Sequence, residues 1–217
     1  IIKINNVQYH SDRDNDVVVL LPSGNYHLEA PSLIGISEKE RYVFVSWSDG
    51  SQVNSTEISL INDATFSTTY KCQYYVKINS AVPLTGEGWY DNGTLAEFSA
   101  VEISPIDSSS RYKFQKWTGD IDSSNMTVYA KVSRPLEITA EYIKQFKVTV
   151  QSQYSTAVIK ETGTSSAWID EGSTVTLMVQ EKEIFENLIV LKRFNGWVNA
   201  QTQSSISDSF VVNQPID

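Results

Sequence analysis

Three aspartates at alternate positions are the part of this 217-residue sequence that comes nearest to metal chemistry. Asp12, Asp14 and Asp16 alternate in the way that the oxygen ligands of a calcium loop do. An EF-hand would have glycine where Val17 stands, would end its loop on glutamate and would be flanked by helices, and the sequence shows none of these. We interpret the run as an exposed hairpin tip and leave calcium binding in another geometry open. No other cofactor is expected.

Catalytic chemistry is poorly represented. His10 and His27 lack the paired spacing of zinc ligands, and no Gly-x-Ser-x-Gly nucleophile elbow occurs. Spacing cannot reveal carboxylate pairs of the kind that hydrolyse glycosides. The residues that recur along the chain are nevertheless apolar, so we expect a protein that is not an enzyme.

Three sequons mark candidate N-glycosylation sites at Asn54, Asn92 and Asn125. Asn54 follows Trp47 by seven residues, and Asn125 follows Trp117 by eight. Both are therefore predicted to lie in the same polar, exposed loop of two related units. If the chain is exported, N-glycans are expected partners.

Aromatic side chains offer another form of recognition, because Trp89, Tyr90 and Trp168 could stack on sugar rings. Trp89 and Trp168 recur at one position of a repeat, however. Recurrent tryptophans usually fill cores, since burial of a large ring contributes a few kcal/mol. Core filling is the favoured interpretation, and glycan binding is the alternative.

The elements that must position these residues recur three times. A phenylalanine precedes a tryptophan by three residues in each copy, and the tryptophans lie 70 and then 80 positions apart: Phe44/Trp47, Phe114/Trp117 and Phe194/Trp197. Short runs rich in β-branched and aromatic residues, bounded by Gly, Asn, Asp and Ser, indicate strands. The sequence predicts an all-β protein of three tandem, small β-sandwich-like domains at residues 1–72, 73–144 and 145–217, hereafter units 1, 2 and 3.

Each Phe/Trp pair has opposite strand parity, so burial of both rings requires a bulge or bend. Opening strands at residues 1–6, 75–80 and 146–152 are predicted to superpose, and short linkers are expected at 70–75 and 142–146. Closing strands are predicted at 65–70 and 136–142. Unit 3 has Pro215 where unit 2 has Pro135 but no closing strand after it. Either the parent chain supplies this strand or another subunit lends it.

Composition excludes some classes of function. The net charge is −9 and the pI about 4.7, which disfavours nucleic acid as a partner. Cys72 is the single cysteine, so an intrachain disulfide is impossible. No apolar run approaches the roughly 20 residues that span a bilayer, so no direct membrane insertion of this segment is expected.

The pattern of unit 2 resembles repeats of archaeal cell-surface proteins, namely S-layer stalk proteins and the C-terminal regions of thermopsin-like proteases. It is also similar to the divergent InlB B-repeat family. The matching residues are Gly88-Trp89-Tyr90-Asp91-Asn92-Gly93-Thr94, Arg111-Tyr112-Lys113-Phe114 with Trp117 and Gly119, and Ile138-Thr139-Ala140-Glu141-Tyr142. The resemblance implies an extracellular β-rich array, and no catalytic residue of a protease domain carries over.

These observations predict a structural extracellular protein, a stalk or lattice component of a cell-surface (S-layer) assembly. Its partners would be other surface-layer or filament subunits. The alternatives are the non-catalytic accessory domains of a secreted thermopsin-like protease, and a strand-exchanging, pilus-like filament subunit.

Overall fold

The computed structural model describes residues 1–12, 16–153, 155–185, 191–198 and 206–216. These residues form nineteen β-strands and no helix, so the prediction of an all-β fold is confirmed. In this described part of the chain, no helix exists that is long and apolar enough to cross a membrane.

Two of the nineteen strands span the predicted unit boundaries. The strands that begin in unit 1 are β1 (Ile2–Ile4), β2 (Val7–Tyr9), β3 (Gly24–Glu29), β4 (Leu33–Ser37), β5 (Glu40–Trp47), β6 (Ser55–Leu60) and β7 (Thr68–Ser80). Those that begin in unit 2 are β8 (Gly88–Asp91), β9 (Thr94–Ser99), β10 (Ile103–Pro105), β11 (Ser110–Gly119), β12 (Thr127–Val132) and β13 (Leu136–Thr149). Unit 3 adds β14 (Ala157–Ile159), β15 (Ser166–Asp170), β16 (Thr174–Val179), β17 (Glu183–Phe185), β18 (Leu191–Arg193) and β19 (Ser207–Val211).

Two long strands join the units directly. The first half of β7 pairs with β5 of unit 1, and its second half pairs with β8 and with the first half of β13. Strand β13 repeats this arrangement, pairing first with β11 and then with β15. The linkers expected at 70–75 and 142–146 are therefore wrong, because the closing strand of one unit continues as the opening strand of the next. We call β7 and β13 the through-strands.

One sheet consequently runs through all three units, in the order β10-β11-β13-β7-β5-β4, with β8 and β15 paired to the through-strands. The facing layers are separate: β2-β1-β3-β6 in unit 1, β12-β9 in unit 2 and β14-β16-β19 in unit 3. The predicted boundaries at 72/73 and 144/145 fall inside β7 and β13.

The repeated Phe/Trp pairs lie in the three cores, as their recurrence indicates. In unit 2 the ladder between β11 and β13 shifts between Phe114 and Lys116, and this bulge lets Phe114 and Trp117 both face inward. Their ring centroids are 5.9 Å apart. Strand β5 has the same shift between Phe44 and Ser46, so the predicted bulge is confirmed in both units.

The start of unit 1 differs from the prediction. Strand β1 lies in the facing layer, where Ile4 is opposite Leu28 of β3. In unit 3 this place is taken by β14, which pairs with β16. Superposition of residues 1–6 on the other opening strands is therefore wrong, because an alternating apolar run has the same pattern in either sheet.

Ile216 of unit 3 pairs in the way that the first residue of the closing strand pairs in unit 2. Ile216 forms a parallel bridge with Val148, and the equivalent pairing in unit 2 joins Leu136 to Val76. Two backbone hydrogen bonds support the bridge, from Thr149 N–H to Ile216 C=O at 2.8 Å and from Ile216 N–H to Lys147 C=O at 3.2 Å. The register that the Pro215/Pro135 match implies is thus present.

Candidate functional site at the inter-unit junctions

Each through-strand carries a glutamine where the strands of two units pair with it at once. Gln73 is opposite Arg41 of β5 on one side and opposite Asp91 of β8 on the other. Directly opposite residues of antiparallel strands have Cβ atoms about 4.5–5.5 Å apart and present their side chains on one face. The register therefore creates a row of three polar side chains across the boundary between units 1 and 2.

Hydrogen bonds join all three side chains of the row at this first junction. The Nε of Arg41 donates to Oε1 of Gln73 at 2.8 Å, and Nε2 of Gln73 donates to Oδ1 of Asp91 at 2.7 Å. Lys71 donates to the other carboxylate oxygen of Asp91 at 2.9 Å. The hydrogen bonds from Lys71 and Gln73 hold the pKa of Asp91 below its usual value, so this carboxylate stays charged at neutral pH.

The second junction repeats the arrangement. Arg111 Nε donates to Oε1 of Gln145 at 2.7 Å, and Nε2 of Gln145 donates to Oδ1 of Asp170 at 2.6 Å. Gln145 is only 5% exposed, whereas Gln73 is half-buried. A buried amide with both ends bonded stabilises the junction, since breaking either bond would leave a desolvated polar group.

Trp89 and Trp168 lie at these junctions and in none of the three hydrophobic cores. The guanidinium carbon of Arg41 is 4.1 Å from the ring centroid of Trp89, and that of Arg111 is 4.3 Å from Trp168. These distances are those of cation–π pairs. The favoured interpretation of both tryptophans as core residues is therefore wrong, and a cation covers one face of each indole. Tyr90, by contrast, does pack against the core of unit 2.

At each junction a backbone hydrogen bond also joins the through-strand to a turn of the preceding unit. Tyr75 N–H donates to Lys39 C=O at 3.0 Å, and Lys147 N–H donates to Ser109 C=O at 2.8 Å. Lys39 also binds the carboxylate of Glu137 across the first junction, at 3.1 Å. Hydrogen bonds from Asn79 and Lys39 lower the pKa of Glu137, which therefore remains an anion at neutral pH.

The polar groups of these two junctions hold the strands of neighbouring units together. Guanidinium, amide and carboxylate groups are already bonded to one another, and neither junction row contains a serine, cysteine or histidine as nucleophile or base. The arrangement fixes the angle and register between consecutive units.

The acidic run that we interpreted as a hairpin tip contains two hydrogen bonds between Asp12 and Asp16, and residues 17–21, which follow it, pair with no described strand. Asp16 N–H donates to the Asp12 carboxylate at 3.0 Å, and Asp12 N–H donates to Asp16 C=O at 2.9 Å. Asp14 lies outside the described residues. Among the residues that are described, no group of three His, Cys, Asp or Glu side chains is placed to hold a metal. Calcium binding at this tip stays a prediction.

The three sequon asparagines have different surroundings. Asn92, in the turn between β8 and β9, and Asn125, just before β12, are both exposed. Asn54 is half-buried, and its Nδ2 donates to Ala30 C=O at 2.8 Å. Because a glycan attaches to Nδ2, its attachment at Asn54 would compete with this bond. Asn92 and Asn125 are the accessible acceptors.

An open cleft of about 600 Å³ lies beside Ile216 in unit 3. Core residues line much of it, including Val150, Leu177, Phe194 and Trp197. In unit 2 the closing strand places buried Leu136, Ile138 and Ala140 in the corresponding core. The cleft of unit 3 thus lies where the closing strand of unit 2 covers the corresponding core.

The junction residues were visible in the sequence but not recognised. Arginine recurs after 70 residues, glutamine after 72, and aspartate and tryptophan after 79: Arg41/Arg111, Gln73/Gln145, Asp91/Asp170 and Trp89/Trp168. Comparison with protein-family models, curated proteins and solved structures found no match. The fold and the junctions define the chain as an all-β array whose units are joined by shared strands.

Proposed function

We propose that this chain is a structural segment of an extracellular cell-surface assembly, a stalk or lattice component such as an S-layer subunit. The through-strands are the observation that carries the proposal. Residues 73 and 74 of β7 pair with β5 of unit 1 and with β8 of unit 2 simultaneously. Residues 145 and 146 of β13 do the same for units 2 and 3.

A spacer must keep a fixed distance and direction between its ends. Even a short flexible linker would let consecutive domains reorient. Here each boundary lies within a paired ladder and carries two hydrogen bonds to charged groups, each contributing about 1.5–3 kcal/mol. A cation–π pair adds about 0.5–1 kcal/mol where it is exposed. Bending at a boundary would break these interactions together.

The surface chemistry agrees with an exported structural protein. A net charge of −9 favours solubility through self-repulsion and disfavours anionic partners. Exposed Asn92 and Asn125 would carry N-glycans, and polar faces of the units would contact neighbouring subunits. The resemblance of unit 2 to archaeal surface repeats supports the same role.

One specific observation favours a second candidate, a filament subunit that exchanges strands with its neighbours. The apolar cleft of unit 3 has the position and lining of a strand-binding groove. β-Strand addition uses such grooves, with backbone bonds giving affinity and pockets for alternate side chains giving specificity. In this version the array would still be structural, but joined to neighbours through strands.

Small-angle X-ray scattering tests the junction argument. A flexible Gly-Ser-Gly-Ser segment inserted after Lys144 interrupts β13 at the second junction, and the same insertion after Ser124, in a loop of unit 2, is the control. We expect the first insertion to broaden the distance distribution and the second to leave it unchanged. If the unmodified chain already scatters like the junction insertion, the fixed-spacer argument fails.

The cellular part of the proposal has its own test. Mass spectrometry of the native protein from its source cells should find glycan on Asn92 or Asn125, and surface fractions should contain the protein. Recovery of unglycosylated protein in the cytoplasmic fraction alone would contradict an extracellular role.

A further inference from the structure

Residues 17–21 of unit 1 form an apolar run that pairs with none of the strands in the described part of the chain. Val19 and Leu21 pack against the core of unit 1, while Val18 is 86% and Leu20 98% exposed. Within the described part of the chain, no hydrogen bond joins the backbone of residues 17–21 to another residue. A segment whose side chains alternate between inward and outward, and whose backbone is unpaired, has the properties of an open strand edge.

A second segment of unit 1 is uncovered in the same way. Trp47 is opposite Thr68, and Trp117 is opposite Ala140, so Phe66 of unit 1 corresponds to Ile138 of unit 2. Ile138 is fully buried and pairs in parallel with β7, whereas Phe66 is 37% exposed and precedes the start of β7. Residues 63–66 have no backbone hydrogen bond to another described residue.

In units 2 and 3 a through-strand pairs with the segments that correspond to these two segments of unit 1. In unit 2 the second half of β7 pairs antiparallel with β8 and parallel with β13. In unit 3 the second half of β13 pairs antiparallel with β15 and in parallel with Ile216. In both units the strand comes directly from the closing strand of the preceding unit. Unit 1 has both neighbours of this strand, and no strand of its described residues takes the place between them.

We propose that residues 17–21 and 63–67 of unit 1 form an acceptor slot for one β-strand, and that the occupant is the through-strand of another β-repeat unit of this construction. The inference deepens the proposed structural function and rests on it. The occupant runs antiparallel to residues 17–21 and parallel to residues 63–67, as in units 2 and 3. Docking at this slot would give the array a direction, because each unit is completed by the one before it.

The chemistry of the occupant follows from the strands that fill the same place elsewhere. Inward positions carry an aromatic residue, then valine, then an aliphatic residue, and polar or charged side chains stand between them. The two examples are Tyr74, Val76 and Ile78 in β7, and Phe146 and Val148 of β13 with Val150 just after it. A strand of this pattern would cover the core of unit 1 and bond to its two open edges.

A second copy of the chain pairing its own edge with residues 17–21 is the competing occupant. Such a pair would satisfy one edge by two-fold symmetry but would leave residues 63–66 and Phe66 uncovered. Coverage of both segments at once requires a single strand between them. The observations therefore favour the through-strand.

The probe is a fluorescent peptide with the sequence of residues 73–82, titrated into the full 217-residue chain. The control peptide has serine in place of Val76 and Ile78, so it keeps the polar positions and loses the inward ones. We expect saturable binding of the first peptide and a loss of about tenfold or more in affinity for the second. Hydrogen exchange should show new protection at residues 17–21 and 63–66.

Two variants of the chain sharpen the test. Leu20→Pro removes one N–H from the exposed edge without removing a buried side chain and should abolish peptide binding, while Leu95→Lys changes an exposed leucine of unit 2 and should leave it intact. Equal melting temperatures would show that both variants fold. Absence of binding, protection only elsewhere, or a dimer of the chain that the peptide cannot dissociate would overturn the proposal. The scattering experiment at the second junction does not involve the slot, so the two proposals fail separately.

Discussion

Replacement of Gln145 by methionine should uncouple units 2 and 3. Methionine keeps the length of the side chain but can neither accept from Arg111 nor donate to Asp170, which bond Gln145 at 2.7 and 2.6 Å. Hydrogen bonds to charged groups contribute about 1.5–3 kcal/mol each. Arg111 and Asp170 are half-buried, so water can rehydrate them in part. We therefore expect a loss of about 2–4 kcal/mol in the free energy of unfolding.

Urea unfolding followed by tryptophan fluorescence, together with calorimetry, measures this effect. The variant should show a lower midpoint and a separate transition for unit 3, because cooperativity across the junction depends on the buried glutamine. Gln73→Met is the matched control at the first junction, where Lys71 still bonds Asp91 at 2.9 Å. Its cost should be smaller, about 1–2 kcal/mol. A cost for Gln145→Met below about 0.5 kcal/mol, or no larger than that of Gln73→Met, would refute the reasoning.

Three further predictions follow from single positions. Gly119→Ala should destabilise unit 2 by several kcal/mol in thermal unfolding, because Gly119 has a φ of +93° and the added Cβ would lie 2.5 Å from the Glu137 carbonyl oxygen. The control is Gly50→Ala. Gly50 has a φ of +88° and open space around it, so this change should cost only about 1 kcal/mol. Trp117→Phe should lower the stability more than Trp47→Phe does in the same assay. The Trp117 indole donates to a carbonyl at 3.2 Å, whereas the buried Trp47 indole has no hydrogen-bond partner among the described residues. An equal loss of stability would contradict this prediction. Because the bonds from Lys71 and Gln73 lower the folded pKa of Asp91 below 3.8, the stability it contributes is present above pH 3.8 and is lost as the pH falls through the folded value. The melting temperature should thus drop below about pH 4, and Asp91→Asn should reduce that drop while lowering stability at neutral pH.

Local features of the fold could be predicted from the sequence because they depend on neighbours along the chain. The bulge between Phe114 and Trp117 follows from parity alone, since two buried rings three residues apart cannot share a face of a regular strand. Turn residues flank strands such as β6 and β9, so the sequence alone indicates where these strands begin and end.

Strand partners could not be predicted in the same way. The run Ile2-Lys3-Ile4 has the alternation of an opening strand, but it also suits the edge of the facing layer, where β1 lies. Continuity of β7 was hidden because Cys72 and Gln73 are polar or small and resemble a linker between two apolar strands. In the structure these residues are the place where both units pair with the strand.

The junction residues show most clearly that contacts between residues distant in the sequence could not be predicted from it. Its residue types recur visibly, but Arg41 and Gln73 are 32 positions apart, and only register makes them neighbours. The tryptophans were assigned to the core because large rings are usually buried there. Trp89 is instead half-buried at a boundary between units, where a guanidinium group covers one face of its ring.

Sharing of strands also predicts the order in which the units open. Units of about 70 residues bury modest cores and depend on their neighbours. In the described residues, the core of unit 2 contains ten buried residues and that of unit 1 four, Ile4, Leu28, Ala30 and Trp47. No described strand supplies unit 1 with the inward side chains of an opening strand, so its local unfolding should cost least in this chain. Native-state hydrogen exchange should therefore show faster exchange in β5 than in β11, and addition of the residue 73–82 peptide should slow exchange in β5 but not in β11. Slower exchange in β5 than in β11 without the peptide would mean that the shared strand does not set the stability of the unit it enters.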